Sequence, residues 1–283
     1  MQMRQRLQPS KIEINGTELH YVEQGRGDPI VFVHGGLGDF RTWLPQVATC
    51  SERYRAIAYS RRAHYPNPWP SDYKRADMQL HVDDLRALIQ AQELGEAHLV
   101  GNSYGAYICL VLALQQPSLV RSLSLAEPPI HPLLLRIPGG QALYDEFLAE
   151  AWEPARTAFA KGDLHEGVRL FIEGAVGRSA WEELPPRVRQ EMMKNGREMG
   201  VATQTELKVQ MLDFSCEDAA KIHAPALLLR GELSPKKYYL INDELARCMP
   251  HTAQATIPNA AHVLHSHNPE AHDRIVLDFI ARH

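Results

Sequence analysis

Hydrophobic and polar positions change rhythm several times along the chain, and each change marks an element. KIEI (11–14) and ELHYVE (18–23) alternate apolar with polar residues on either side of Asn15-Gly16, which predicts a two-residue hairpin. IVFVH (30–34) is a continuous apolar run, as a strand covered on both faces requires, and YRAIAYS (54–60) is another. MQLHVDDLRALIQAQEL (78–94) has helical spacing and ends at Gly95. AHLVG (97–101) predicts a third buried strand, and YGAYICLVLALQQ (104–116) a helix stopped before Pro117. VRSLSLAE (120–127) follows as a further apolar run. Strands alternating with helices in this order predict an α/β fold, a mostly parallel sheet with helices on both faces.

Beyond Pro128 the rhythm shifts. QALYDEFLAEAW, LHEGVRLFIEGAV, PRVRQEMMKNGREM and TQTELKVQMLDF all have helix-like spacing, and no strand-like run interrupts them before PALLLRG (225–231). NDELARCM (242–249) then reads as helix and AQATIP (253–258) as strand, and the chain ends on PEAHDRIVLDFIARH. The expected organisation is a core domain of residues 1–128 and 221–283, interrupted by a helical lid over residues 129–220.

Composition adds limits rather than a direction. At 283 residues the chain is near the upper size of one hydrophobic core, which favours one domain with an insertion over two equal domains. Lysine, arginine, aspartate and glutamate are interspersed at a net charge of −4, and no basic block predicts nucleic acid or an anionic membrane surface as a partner. No run approaches the roughly 18 apolar residues of a membrane span. MQMRQRLQPSK lacks the apolar core of a signal peptide, so a cytoplasmic location is expected. Cys50, Cys109, Cys216 and Cys248 are widely scattered without metal-ligand spacing, and Cys109 reads as a small core residue. Asn15-Gly16-Thr17 matches a glycosylation sequon but reads as the hairpin turn.

Chemistry concentrates at four places. Gly101-Asn102-Ser103-Tyr104-Gly105 lies between a buried strand and a helix, the context a G-x-S-x-G nucleophile elbow needs. Side chains at the flanking glycine positions would clash, and the helix amino terminus offers free amides to a reacting centre. VFVHGGLGDFRTW (31–43) places His-Gly-Gly directly after a buried strand, where glycines let the backbone approach an acyl oxygen. IPNAAHVLHSHNPEAH (257–272) holds four histidines; His262 lies just past a short strand, whereas His265, His267 and His272 read as loop or helix-surface residues. A zinc cluster is the rival reading there, but no second set of carboxylates or cysteines accompanies it. SLAEPPIHP (124–132) puts Glu127 at the tip of a strand that two prolines then end. No metal or cofactor is expected.

These motifs and their order resemble the α/β-hydrolase superfamily over essentially the whole length. YRAIAYSRRAHYPN stands where that family carries Asp-x-Arg-Gly-His-Gly, retaining Arg62 and His64 but not the aspartate or the glycines. The resemblance implies Ser103 as nucleophile, His262 as general base, and oxyanion donors at the amides of Gly36 and Tyr104, with Leu37 the alternative to Gly36. One part of the pattern departs. Where many members have Gly-x-x-Asp after the strand following the lid, this chain has Gly231-Glu232-Leu233-Ser234. In one branch, which includes some haloalkane dehalogenases and zearalenone-type lactonases, the acid sits after the preceding core strand, and that place here is Glu127. Serine as nucleophile disfavours halide displacement and epoxide opening, whose family members need an aspartate, and favours acyl transfer to water. The expected partner is a small apolar carboxylic ester or lactone, and a homodimer stays open. Carbon–carbon bond hydrolases, cofactor-free perhydrolases and weakly catalytic ligand-binding relatives share the scaffold and are the alternatives.

Overall fold

The computed structural model describes residues 7–71, 73 and 77–283, with the side chains of 208 and 209 left aside. The first six residues, part of the amino end read above, lie outside the described residues. Ser10–Ile14 (β1) and Thr17–Gln24 (β2) form the predicted hairpin, with Asn15 at φ 45° and Gly16 at φ 70°, the left-handed pair such a turn demands. Pro29–Val33 (β3), Arg55–Tyr59 (β4), Ala97–Asn102 (β5), Val120–Ala126 (β6), Ala226–Gly231 (β7) and Thr252–Ile257 (β8) complete one eight-stranded sheet in the order β1-β2-β4-β3-β5-β6-β7-β8. The first two strands pair antiparallel, and β4 through β8 are parallel.

The near-continuous apolar runs have a simple cause. Successive strand residues point to opposite faces, and both faces are covered. Val31, Val33, Ile57, Tyr59, Leu99, Leu123 and Leu125 pack with the helices Met78–Ala91, Tyr104–Gln115 and Lys236–Cys248. Ile30, Phe32, Ala56, Ala58, Val100, Leu227 and Leu229 pack on the other side with Trp43, Val47 and the helix Pro269–Ile280.

Between Ala126 and Ala226 the described residues form helices and no strand, as the change of rhythm predicts. Two predicted extents differ. The helix expected over 242–249 begins at Lys236, because Tyr238, Ile241 and Leu245 already share its buried face. In TQTELKVQMLDF, Thr203 closes the preceding helix Pro186–Thr203, only Leu207–Gln210 is helical beyond it, and Met211 is extended at ψ 133°.

Two of the scattered cysteines are paired, which the sequence reading did not foresee. Cys216 and Cys248 are joined in a disulfide with Cα atoms 5.3 Å apart, tying the helix Cys216–Ala219 to the end of Lys236–Cys248. A separation of 32 residues hid the pairing. Cys50 and Cys109 are free and buried. Among the described residues no helix is long and apolar enough to cross a membrane.

Candidate active site

The elbow is built by close approach. β5 ends at Asn102, and the next residue, Ser103, sits at φ 53°, ψ −125°, a conformation a β-carbon resists. A Cβ on Gly105 would come within 2.2 Å of the Val33 carbonyl oxygen, and one on Gly101 within 2.6 Å of Ala106 Cα. Only glycines let the helix Tyr104–Gln115 start this tightly against β3 and β5. The Ser103 amide donates to Ala126 O at 2.7 Å, which fastens the turn to the end of β6.

One residue past Ala126 stands Glu127, fully buried and at φ 49°. Its amide donates to Leu229 O at 3.2 Å, and the prolines behind it turn the chain out of the sheet. Both carboxylate oxygens are engaged. Oε1 accepts the Gly231 amide at 2.7 Å, and Oε2 lies 2.6 Å from His262 Nδ1. A carboxylate only accepts, so Nδ1 is the donor and Nε2 is left free. His262 is held on two further sides. Asn102 Nδ2 donates to its carbonyl at 3.0 Å, and the Tyr238 ring stacks on the imidazole at 4.2 Å and 15°.

The other carboxylates near β7 and its following helix are placed elsewhere. Glu232 accepts the Asn259 amide at 2.8 Å, Asp243 pairs with Arg230 at 2.8 Å and Glu244 with Arg247 at 2.6 Å. Ser234 Oγ is buried and has no partner among the described residues. Of the remaining histidines, His267 Nδ1 accepts the Ala261 amide at 2.9 Å. His265 and His272 correct the surface reading. Both are buried: His265 stacks on Trp43 at 4.0 Å and packs edge-on to His272, because the inner face of Pro269–Ile280 closes over them.

The His-Gly-Gly stretch is pinned by a residue the sequence reading passed over. Arg61, almost wholly buried, donates to Gly35 O at 3.1 Å and to Gly36 O at 3.4 Å. In a trans peptide the N–H points opposite the C=O. The amides of Gly36 and Leu37 therefore face away from the guanidinium, and neither has a partner among the described residues. Arg61 also lies 3.2 Å from His81 Nε2 and 3.1 Å from His64 Nε2. Burial first, and the Arg61 charge second, push His34, His64 and His81 down, His64 to about 4. Neutral imidazoles can crowd a cation where charged ones could not. Glu198, from the helix Pro186–Thr203, completes the cluster by accepting from Tyr73 OH at 3.1 Å, with His64 and His81 each at 3.6 Å. Arg62, retained from the family's loop, instead pairs with the buried Asp84.

Ser103, His262, Gly36, Leu37 and Tyr104 line one cavity of about 490 Å³ between the carboxyl ends of the strands and the helical insertion. Glu127 stands behind His262 rather than on the wall. The insertion contributes Phe147, Trp152, Phe171, Ile172, Met192 and Met199. Trp181 is buried inside the insertion with Val168 and Ile172.

Comparison with known proteins gives the family of the chain. Residues 28–269 match the family described as alpha/beta hydrolase fold, and the chain belongs to it. It is 24% identical over 258 residues to the (E)-2-((N-methylformamido)methylene)succinate hydrolase of Acinetobacter baylyi, covering 90% of this chain and 91% of that one. Among solved structures, the enol-lactonase of Burkholderia xenovorans superposes with a TM-score of 0.75 at 21% identity, over 96% of this chain and all of the other. An epoxide hydrolase of Vigna radiata does so at 0.77 and 20%, over the full length of both. The protein is a hydrolase with an eight-stranded, mostly parallel α/β-hydrolase sheet.

Proposed function

We propose that this hydrolase cleaves a small apolar carboxylic ester or lactone through an acyl-enzyme on Ser103. The observation that carries the reading is the 2.6 Å contact between His262 Nδ1 and the buried Glu127 carboxylate, behind a histidine that shares its cavity with Ser103. Ser103 Oγ attacks the acyl carbon, and its proton passes to Nε2 of His262. The imidazolium that forms is stabilised by Glu127, which also fixes the ring's tautomer. Charge developing on the carbonyl oxygen is met by the amides of Tyr104 and Gly36, with Leu37 next to them. Collapse of the tetrahedral intermediate expels the alkoxide, which takes the proton from Nε2. In a lactone that alcohol remains tethered to the acyl chain. Water then repeats the sequence, with His262 removing its proton, and releases the acid and free Ser103.

The cavity wall supports the apolar half of the proposal. The aromatic and methionine side chains of the insertion suit an acyl chain better than a charged metabolite. In this reading residues 129–220 act as a lid over the strand ends. Similarity to an epoxide hydrolase does not extend to the chemistry, because Ser103 cannot form the alkyl-ester that an aspartate nucleophile does.

A fluorophosphonate probe should label Ser103, and p-nitrophenyl esters should be turned over. Ser103→Ala and His262→Ala should each lower kcat by on the order of 10⁴ to 10⁶, with the double variant little worse. Additive losses would count against the pairing. Labelling without turnover of esters or lactones would favour carbon–carbon bond cleavage or a ligand-binding role.

A further inference from the structure

One joint between the insertion and the core also touches the proposed general base. The helix Leu164–Val176 brings Phe171, Ile172, Ala175 and Val176 to the cavity wall. The last carbonyls of a helix lack intrahelical donors and have to be met from outside. Glu173 O takes the Gly177 amide at 3.0 Å. The next two carbonyls are met by consecutive residues at the start of the core helix Lys236–Cys248. Lys237 Nζ donates to Gly174 O at 2.9 Å, and Tyr238 OH donates to Ala175 O at 3.2 Å. A cation at this end also suits the helix dipole. Both side chains are buried, and the Lys237 ammonium lies 4.8 Å from the centre of the Phe147 ring. Burial pulls Lys237 down to about 8, with Glu146, Glu127 and Glu150 opposing, so it is still mostly charged at neutral pH. Burial first, and the Glu127 charge second, push the Tyr238 phenol well up, so it keeps its proton and donates.

The ring of the same tyrosine stacks on His262 at 4.2 Å and 15°. The Glu127 bond fixes one edge of the imidazole but leaves the ring free to rock about that bond. A stacked neighbour fixes its plane, and an aromatic face also favours the imidazolium that turnover creates. The next residue secures the base of the joint. Tyr239 OH donates to Gly231 O at 2.9 Å and to Glu232 O at 3.0 Å, at the end of β7, where Glu127 Oε1 accepts the Gly231 amide. Tyr238 is therefore held from the sheet through its own backbone and from the insertion through its hydroxyl.

We propose that Tyr238 is a positioning residue through which the seating of the insertion sets the orientation of His262, with Lys237 sharing the hold on the helix Leu164–Val176. The proposal rests on His262 being the general base, and it makes the insertion part of how the base is placed as well as a wall for the substrate.

The test reads His262 directly. The proton on Nδ1, held by Glu127 in a short hydrogen bond, should give a magnetic-resonance signal far downfield of the amides, assigned by its loss in His262→Gln. Tyr238→Leu should shift or broaden that signal and lower kcat on p-nitrophenyl acetate by about tenfold, the scale of one ring contact, with KM changed by less than about threefold. Tyr238→Phe keeps the ring and should restore the signal and all but about threefold of kcat. Combining Lys237→Met with Tyr238→Phe also keeps the ring but releases both carbonyls. Amides at the end of the helix Leu164–Val176 should then exchange faster with solvent, the His262 signal should move, and kcat should fall by roughly threefold to tenfold. Circular dichroism melts establish that each variant is folded, and if Tyr238→Leu is not, the double variant carries the test. An unchanged signal and kcat in Tyr238→Leu would overturn the proposal. So would faster exchange in the double variant with signal and kcat unmoved, because the insertion would then be fastened without bearing on the base. The signal needs no substrate, which separates the two readings. If it moves as expected while the parent turns over no ester or lactone, the ester reading falls and the positioning role stands. If esters are turned over and the signal does not move, the positioning role alone falls.

Discussion

The two sides of the cavity are built differently. On the sheet side, both Glu127 oxygens, His262 Nδ1 and the carbonyls of Gly35, Gly36 and His262 each meet a partner, mostly within 3.1 Å. Two of the residues there, Ser103 and Glu127, hold a left-handed backbone that other contacts enforce. On the insertion side the wall is built largely of aromatic rings and methionines, among them Phe147, Trp152, Phe171, Met192 and Met199. Chemistry needs groups fixed before the substrate arrives, because reorganising them during reaction would cost rate. Recognition of an apolar group needs shape and apolar surface rather than fixed donors. In the proposed mechanism the contrast divides the labour of one cavity, and it can be broken at either side.

The largest expected effect tests where the sheet side keeps its acid. Glu127→Gln retains shape and an acceptor but cannot balance an imidazolium, and it should lower kcat by roughly 10³ to 10⁴. Glu232→Gln should change kcat by no more than about twofold, since among the described residues its carboxylate accepts only the Asn259 amide on an exposed loop. Ser234→Ala should behave likewise. Collapse in Glu232→Gln with an active Glu127→Gln would reverse the assignment, and fluorophosphonate labelling would show whether Ser103 is still presented.

Next in size is Arg61. Its guanidinium donates to the Gly35 and Gly36 carbonyls, so in the proposed mechanism it acts through the Gly36 and Leu37 amides as a positioning residue. Arg61→Met should lower kcat by on the order of 10 to 10², with KM changed much less, because oxyanion donors matter most in the transition state. Arg61→Lys restores the charge without the fork and should recover only part of the loss. Equal losses in kcat and stability with a raised KM would mark Arg61 as structural support alone.

Much of this was legible in the sequence because it rests on local rules. Strand and helix positions followed from periodicity, the elbow from glycines whose β-carbons would collide with neighbouring backbone, and Glu127 from a carboxylate stranded at a strand end. What escaped depends on distance along the chain. Arg61 reaches carbonyls 25 and 26 residues earlier, and nothing in SRRAHYP distinguishes it from its neighbour Arg62. Cys216 meets Cys248 only because two helices pack side by side, and His265 is buried only because Trp43 lies over it. The helical character of the insertion could be read, but not which of its aromatics turn toward the cavity.

That last distinction yields the smallest predicted change in catalysis, and it sharpens the contrast from the insertion side. Trp152 and Trp181 are both buried, at 3% and 2% exposure, and composition treats them alike. Trp152 lines the cavity, 6.5 Å from the rings of both Phe147 and Phe171. Trp181 packs within the insertion, edge-on to His165, with Arg189 over its face. Removing Trp152 opens room where an acyl chain would lie, so Trp152→Ala should shift the ratio of kcat/KM between short and long acyl esters by about tenfold, the scale of a few methylenes in an apolar pocket. Trp181→Ala leaves a void the substrate does not reach. It should cost about 3 to 5 kcal/mol of stability, read from urea unfolding, while the acyl-chain ratio measured at low temperature stays within about twofold. A shifted chain-length profile in Trp181→Ala, or an unchanged one in Trp152→Ala, would mean that the insertion closes the cavity without choosing what enters it.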